Sequence, residues 1–327
     1  MSAWEPPPAW ERIEDWEAVA DRIGARQRNR DDAIRAVAVG GDYARGSVWG
    51  ASILQVVLFR HRADALIDEG GVDESGIAVD RITTGALTEI EELLHQEPLA
   101  GALADLHPLR VADRTLRGVL ATYRDRYYSA EGRSLRASRA LQASRVALND
   151  YEATALGVHA LDAVRLICCA VCAEMSEPLD PLRIGRCLRA GSRILRVPDL
   201  WPRLCAGLGL ADRDLSDAWT TASELHALAR SHLDARLPEV GAALVPRLER
   251  ALAPAQRASG LLAAQGDHEG AIWAALAAGV EIDGIIEAAA PGWRERDDYR
   301  VRSGALYGAA DLAQLRSLRT ELQSRLS

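Results

Sequence analysis

Apolar positions recur at helical spacing over residues 10–28, where Ile13, Trp16, Ala20 and Ile23 share one face. "AIRAVAVGG" (33–41) then reads as a buried strand ending on a glycine turn, and "SILQVVLF" (52–59) as its neighbour. "GIAVDRI" (76–82) predicts a third strand, and "TTGALTEIEELLHQEP" (83–98) a helix closed before Pro98. "HPLRVAD" (107–113) predicts a short edge strand, where a leading proline is tolerated. Beyond about residue 113 the alternation disappears. Leu/Ala/Arg-rich segments follow, broken at "NDYE", "SEPLDP", "RVPDLWP", "RLPE", "QGDHEG", "EIDG" and "APGW", which read as helix ends and turns.

This pattern predicts an α/β N-terminal domain over 1–112, with a small mixed sheet of three to five strands. An all-helical bundle of about eight helices follows over 113–327. No fixed-period repeat points to a solenoid.

Composition narrows the function. The 327 residues are 48% hydrophobic and 26% charged, so both domains can bury a core. No run approaches the roughly 18 apolar residues of a membrane span, so no membrane partner is expected. The acidic, proline-rich start "MSAWEPPPAWERIEDWE" is unlike a secretory or transit peptide, and the expected location is the cytoplasm. A net charge of −8 argues against a nucleic-acid partner. All 39 basic residues are Arg and none is Lys, which excludes Schiff-base chemistry, a lysine base and a Walker-type phosphate loop. The five cysteines form no disulfide framework in the sequence pattern. Cys169 and Cys172 lie in the apolar "LICCAVCAEM", where core packing is the simpler reading than zinc.

The chemistry-bearing stretch is "GDYARG" between the first two strands. With the order helix, strand, glycine turn, strand, strand, it resembles the nucleotidyltransferase superfamily of DNA polymerase β-like fold. Within it the closest resemblance is to aminoglycoside- and lincosamide-type nucleotidyltransferases, which pair a small α/β domain with a helical one. The resemblance implies a turn GS-x-A-R-G whose amides approach a triphosphate. Gly41, Tyr43, Ala44, Arg45 and Gly46 match it, and Asp42 stands where the family has serine. It also implies S-D-x-D on the next strand, two aspartates at i and i+2 sharing magnesium. Ungapped, Ser52 falls on that serine, Ile53 on the first aspartate and Gln55 on the second. Magnesium is usually held by one or two protein carboxylates. Their loss should cost about a thousandfold or more in rate. No metal and no other cofactor is therefore expected. Asp42 and Asp80 are the nearest acids for a rescue, Asp80 loosely matching the family's third acid.

Other clusters carry two readings each. His159, Asp162 and Arg165 fall along one side of the apolar "YEATALGVHALDAVRLICCAVCAEM", as a solvated edge or as the lining of a cleft between domains. In the second case His159 is the acid/base candidate. Tyr123 and Tyr127 in "TYRDRYY" either clasp a ligand or pack a helix face. Arg133, Arg136, Arg139 and Arg145 read as a solvated face. Trp4, Trp10 and Trp16 clamp the N-terminal segment to the body or to another subunit, which leaves a homo-oligomer open.

Three functions follow. The first is a repurposed, metal-independent enzyme of specialised-metabolite type, with Asp42, Asp80 and His159 as candidate catalytic groups and a small organic molecule in the interdomain cleft. The turn residues Gly41, Tyr43, Arg45 and Gly46, with Ser52, Ile53, Gln55, Tyr123 and Tyr127, would bind that ligand. The second is a surviving magnesium-dependent nucleotidyltransferase using Asp42 and Asp80 to adenylylate a hydroxyl. The third is a non-catalytic binding or regulatory protein.

Overall fold

The computed structural model describes residues 15–60, 78–83, 94, 99–111, 114–236 and 238–326. The chain divides into two compact units, Ala9–Arg133 and Ser134–Ser327.

The first unit is built on a four-stranded mixed sheet of order β3-β2-β1-β4. Its elements run α1 (Trp16–Arg30), β1 (Ile34–Gly40), α2 (Gly41–Arg45), β2 (Gln55–Arg60), β3 (Ala78–Thr83), α3 (Leu99–Ala104), β4 (His107–Val111) and α4 (Arg114–Tyr128). β1 is antiparallel to both β2 and β4, and β2 is parallel to β3. The first two strands are apolar along almost their whole length because both faces of the sheet are covered. Val37 and Val39 of β1 pair with Leu58 and Val56 of β2, and this face packs on Ala20 and Ile23 of α1. Ala36 and Ala38 pair with Phe59 and Val57, and the opposite face packs on Leu103, Tyr123 and Tyr127. One strand period thus feeds two cores.

The expected strands at 33–41, 52–59, 76–82 and 107–113 are all present, with ends displaced by at most three residues. Of the helix expected over 83–98, Thr83 ends β3 and Leu94 is buried, and the rest, with Trp4 and Trp10, lies outside the described residues.

The second unit is helical. From Ala130 onward the described residues form nine helices. They are α5 (Ala130–Thr154), α6 (Gly157–Glu174), α7 (Ile184–Ile194), α8 (Leu200–Gly207), α9 (Leu215–Arg236), α10 (Pro238–Ala264), α11 (His268–Ala289), α12 (Asp297–Tyr307) and α13 (Leu312–Leu326). A 3-10 turn, Trp293–Glu295, precedes α12. α6 and α11 are buried around most of their circumference, as expected of central helices. No described helix is long and apolar enough to cross a membrane.

Several local expectations are corrected. The helix α5 runs through "NDYE" to Thr154, and α11 runs through "EIDG" to Ala289. Asp283 does not turn the chain because its carboxylate is taken by Arg294, eleven residues on, instead of by local backbone. Arg136 is buried rather than part of a solvated face. Cys172 on α6 and Cys187 on α7 are joined by a disulfide, with Cα atoms 6.6 Å apart. The sequence pattern implied no disulfide framework and core packing for Cys172, whereas the bridge joins two helices.

Candidate functional site

β1 ends at Gly40, and Gly41 turns the chain into the five-residue α2 with φ +68°. That left-handed conformation favours glycine. Gly46 closes α2 at the same φ, its N–H bonding the carbonyl of Tyr43 at 3.2 Å. The amide oxygen of Gln55 lies directly over the turn. A Cβ built on Gly41 would stand 3.1 Å from it, and one on Gly40 3.2 Å. The start of β2 and the glycine turn therefore pack against each other, and a glutamine head fills the space between them.

Asp42 organises the loop that leads into β2. Its Oδ1 accepts from Arg45 Nη2 at 2.8 Å and from Ser47 Oγ at 3.3 Å, and its Oδ2 accepts from Ser52 Oγ at 2.5 Å. Ser52 Oγ in turn accepts from the Trp49 backbone N–H at 3.0 Å. Arg45 also approaches Asp105, Nη1 to Oδ2 at 3.9 Å, and the Tyr128 hydroxyl donates to the Asp105 carboxylate at 2.7 Å. Burial, then the bond to Asp105, pushes the Tyr128 hydroxyl well up, so it stays a neutral donor. Ser52, Asp42, Arg45, Asp105 and Tyr128 form one continuous polar chain.

Ser52 and Leu54 are buried while Ile53 and Gln55 are half-exposed, so these two share the more open side. Gln55 opens β2, and Ile53 lies just before the strand instead of on it. Asp80 sits on β3 at the register position of Val57, two residues beyond the Gln55–Ala78 pair. The structure thus brings Gly41, Asp42, Arg45, Gly46, Ser52 and Gln55 together, with Ile53 adjoining.

Three of the candidate tyrosines lie in the core of the sheet unit. Tyr43 is buried beneath α1 with its ring edge-on to Trp16 at 6.2 Å. Tyr123 and Tyr127 have no exposed surface and stack at 6.4 Å in the sheet unit's core, the Tyr123 hydroxyl donating to the Ala100 carbonyl at 3.2 Å. Their amphipathic rings are consumed by packing.

The second polar cluster lies wholly within the helical unit. Asp283, fully buried on α11, accepts from Arg294 Nε at 2.8 Å and Nη2 at 2.5 Å. Burial pushes its carboxyl up, against the pull of that guanidinium. Tyr299 and Tyr307 of α12 are held well above the usual phenol range, first by burial and then by the charge of Asp283. His159 of α6 is half-buried. Burial, then Arg294, lowers its pKa, while Asp150, Asp162 and Asp283 oppose the shift. The stripe's other members, Asp162 and Arg165, face each other at 3.8 Å.

Sequence reasoning missed Asp105, Asp283 and Arg294. Asp283 carried a signal, since it lies with Glu281 and Glu287 in the apolar "AIWAALAAGVEIDGIIEAAA", where an acid turned into the core needs a partner. Among the described residues, no group of three or more His, Cys, Asp or Glu is placed to hold a metal ion. No protein-family model matches the chain, and no curated protein matches it significantly.

Proposed function

We propose that the N-terminal unit is a nucleotidyltransferase-like domain whose metal-dependent chemistry has been given up, and that the protein acts without metal on a small organic molecule. The observation that carries this reading is the state of Asp42. Its carboxylate is engaged by Arg45, Ser47 and Ser52, so serving a metal would mean abandoning bonds that hold the loop. Ile53 and Gln55 support it, since a hydrocarbon and a neutral amide occupy the side where paired anions would be required. Neither compensates the charge of a divalent ion. The order of β1, glycine turn, antiparallel β2 and parallel β3 supports the ancestry on which this rests.

Acid–base work in this reading falls to His159, whose lowered pKa keeps the imidazole neutral and proton-accepting near pH 7. A non-catalytic binding protein is the second reading. It is favoured by the engagement of Asp42, Arg45 and Asp105 with protein partners, which leaves these groups structural.

A thermal-shift screen of nucleoside triphosphates with and without magnesium, followed by uncharged and apolar metabolites, tests the proposal. A ligand at a hundred times its Kd adds about 2.7 kcal/mol of stability. Stabilisation by a metabolite in the presence of a chelator is the expected result. Stabilisation confined to magnesium–triphosphate would overturn it. A ligand that stabilises yet emerges chemically unchanged would favour the second reading.

A further inference from the structure

The helical unit carries a surface pocket of about 770 Å³ framed by α7, α8 and the start of α11. That volume suits a small organic ligand, for which sites of about 300–1,000 Å³ are usual. One wall is apolar and rigid. The Trp201 ring lies so close to Gly185 that a Cβ there would stand 2.9 Å from it, and Trp273 meets it edge-on at 6.5 Å. Pro198 and Pro202 flank it.

The polar lining is of both signs. Arg189 is already committed to Asp267 at 2.5 Å, and Asp267 also caps α11 by accepting from the Gly270 N–H at 3.1 Å. The side chains of Arg193, Asp199 and Glu269 make no hydrogen bond or ion pair among the described residues. Asp199 stands at the N-cap of α8 yet does not cap it. Cys205 also lines the pocket. Burial, then the carboxylates of Glu269 and Asp267, pushes its thiol up to about 12, so it offers no thiolate nucleophile.

One uncommitted guanidinium, two uncommitted carboxylates and an apolar wall, formed by Pro198, Pro202 and the edge of the buried Trp201, define the ligand. A simple anion meets two carboxylates, and a simple cation leaves Arg193 facing unlike charge only in solvent. We propose that this pocket binds a zwitterion with an apolar body, the simplest being an α-amino acid with an aromatic or aliphatic side chain. Its carboxylate pairs with Arg193, its ammonium with Asp199 and Glu269, and its body lies on Trp201 and the prolines. This site is independent of the reading given for the sheet unit.

Calorimetric titration of the full chain with L-phenylalanine, phenylacetate and phenethylamine tests it. L-Phenylalanine is expected to bind at least about tenfold more tightly than either single-charge analogue. Arg193→Gln and Glu269→Gln are each expected to weaken it about tenfold or more, with the melting temperature unchanged. Asp199→Asn replaces either variant whose melting temperature falls. Absence of L-phenylalanine binding, equal binding of an analogue, or affinity indifferent to these substitutions would overturn the assignment.

Discussion

Asp42 in the sheet unit and Asp283 in the helical unit are both carboxylates tied to arginine, yet their settings differ. Asp42 keeps 13% of its side-chain surface exposed and shares its charge among an arginine and two serines, all within ten residues. Asp283 is fully buried and draws its two N–H donors from Arg294 alone, whose side chain is 24% exposed. The first arrangement spreads the cost of a carboxylate over a loop with some access to water. The second concentrates it on one long-range partner inside a core, where removing that partner strands a charge. The comparison teaches that a carboxylate shared among several short-range donors and one held by a single guanidinium in a core place different demands on their surroundings.

The largest effect should come from Arg294→Met. Leaving Asp283 charged and unpaired is expected to cost about 3 kcal/mol or more, measured by urea denaturation. Asp283→Asn in the same chain should recover a large part of it; failure to recover would show that Arg294 acts through packing. Next is Asp42→Ala, which strands the buried Ser52 hydroxyl and frees Arg45. Loss of about 1.5–3 kcal/mol is expected by the same assay. A neutral result would remove Asp42 from its loop-holding role. Tyr128→Phe deletes only the donor to Asp105 and should cost about 1 kcal/mol.

The smallest expected effect is a pH dependence. The folded pKa of His159 lies below its ordinary 6.5, so the unfolded chain takes up the proton first as pH falls. Stability is therefore retained above about pH 6.5 and declines as pH drops through the folded value. His159→Gln should flatten that decline, leaving the share due to His226, which burial lowers in the same direction.

Much of the sheet unit was legible because its physics is local. Strands covered on both faces need unbroken apolar runs, and a tight turn beneath a neighbouring strand needs Gly41. Arg45, Ser47 and Ser52 lie close enough in sequence for the Asp42 network to be glimpsed, although its closure was not. Tyr128 was visible only as part of an aromatic cluster, and its link to Asp105 depends on how α4 folds back beside α3. Tyr123 and Tyr127 were ambiguous for the same reason, since an aromatic face reads alike whether it meets a ligand or a sheet.

The helical unit was legible in class and blurred in detail. "EIDG" reads as a turn by composition, and only the arrival of Arg294 turns its aspartate into a core residue. "NDYE" likewise holds helical conformation, with the Tyr151 hydroxyl accepting from the Ala310 N–H at 2.7 Å. The disulfide escaped because Cys187 comes from a different helix than its partner. Such pairings are set by packing, which periodicity along one chain does not encode.

The central claim is that the turn at Asp42 no longer serves a metal-bound nucleotide. Calorimetric titration of magnesium–ATP into the full chain, beside Asp80→Asn, tests it most directly. The account predicts no magnesium-dependent binding in either protein. Saturable binding that requires magnesium and disappears in Asp80→Asn would contradict it.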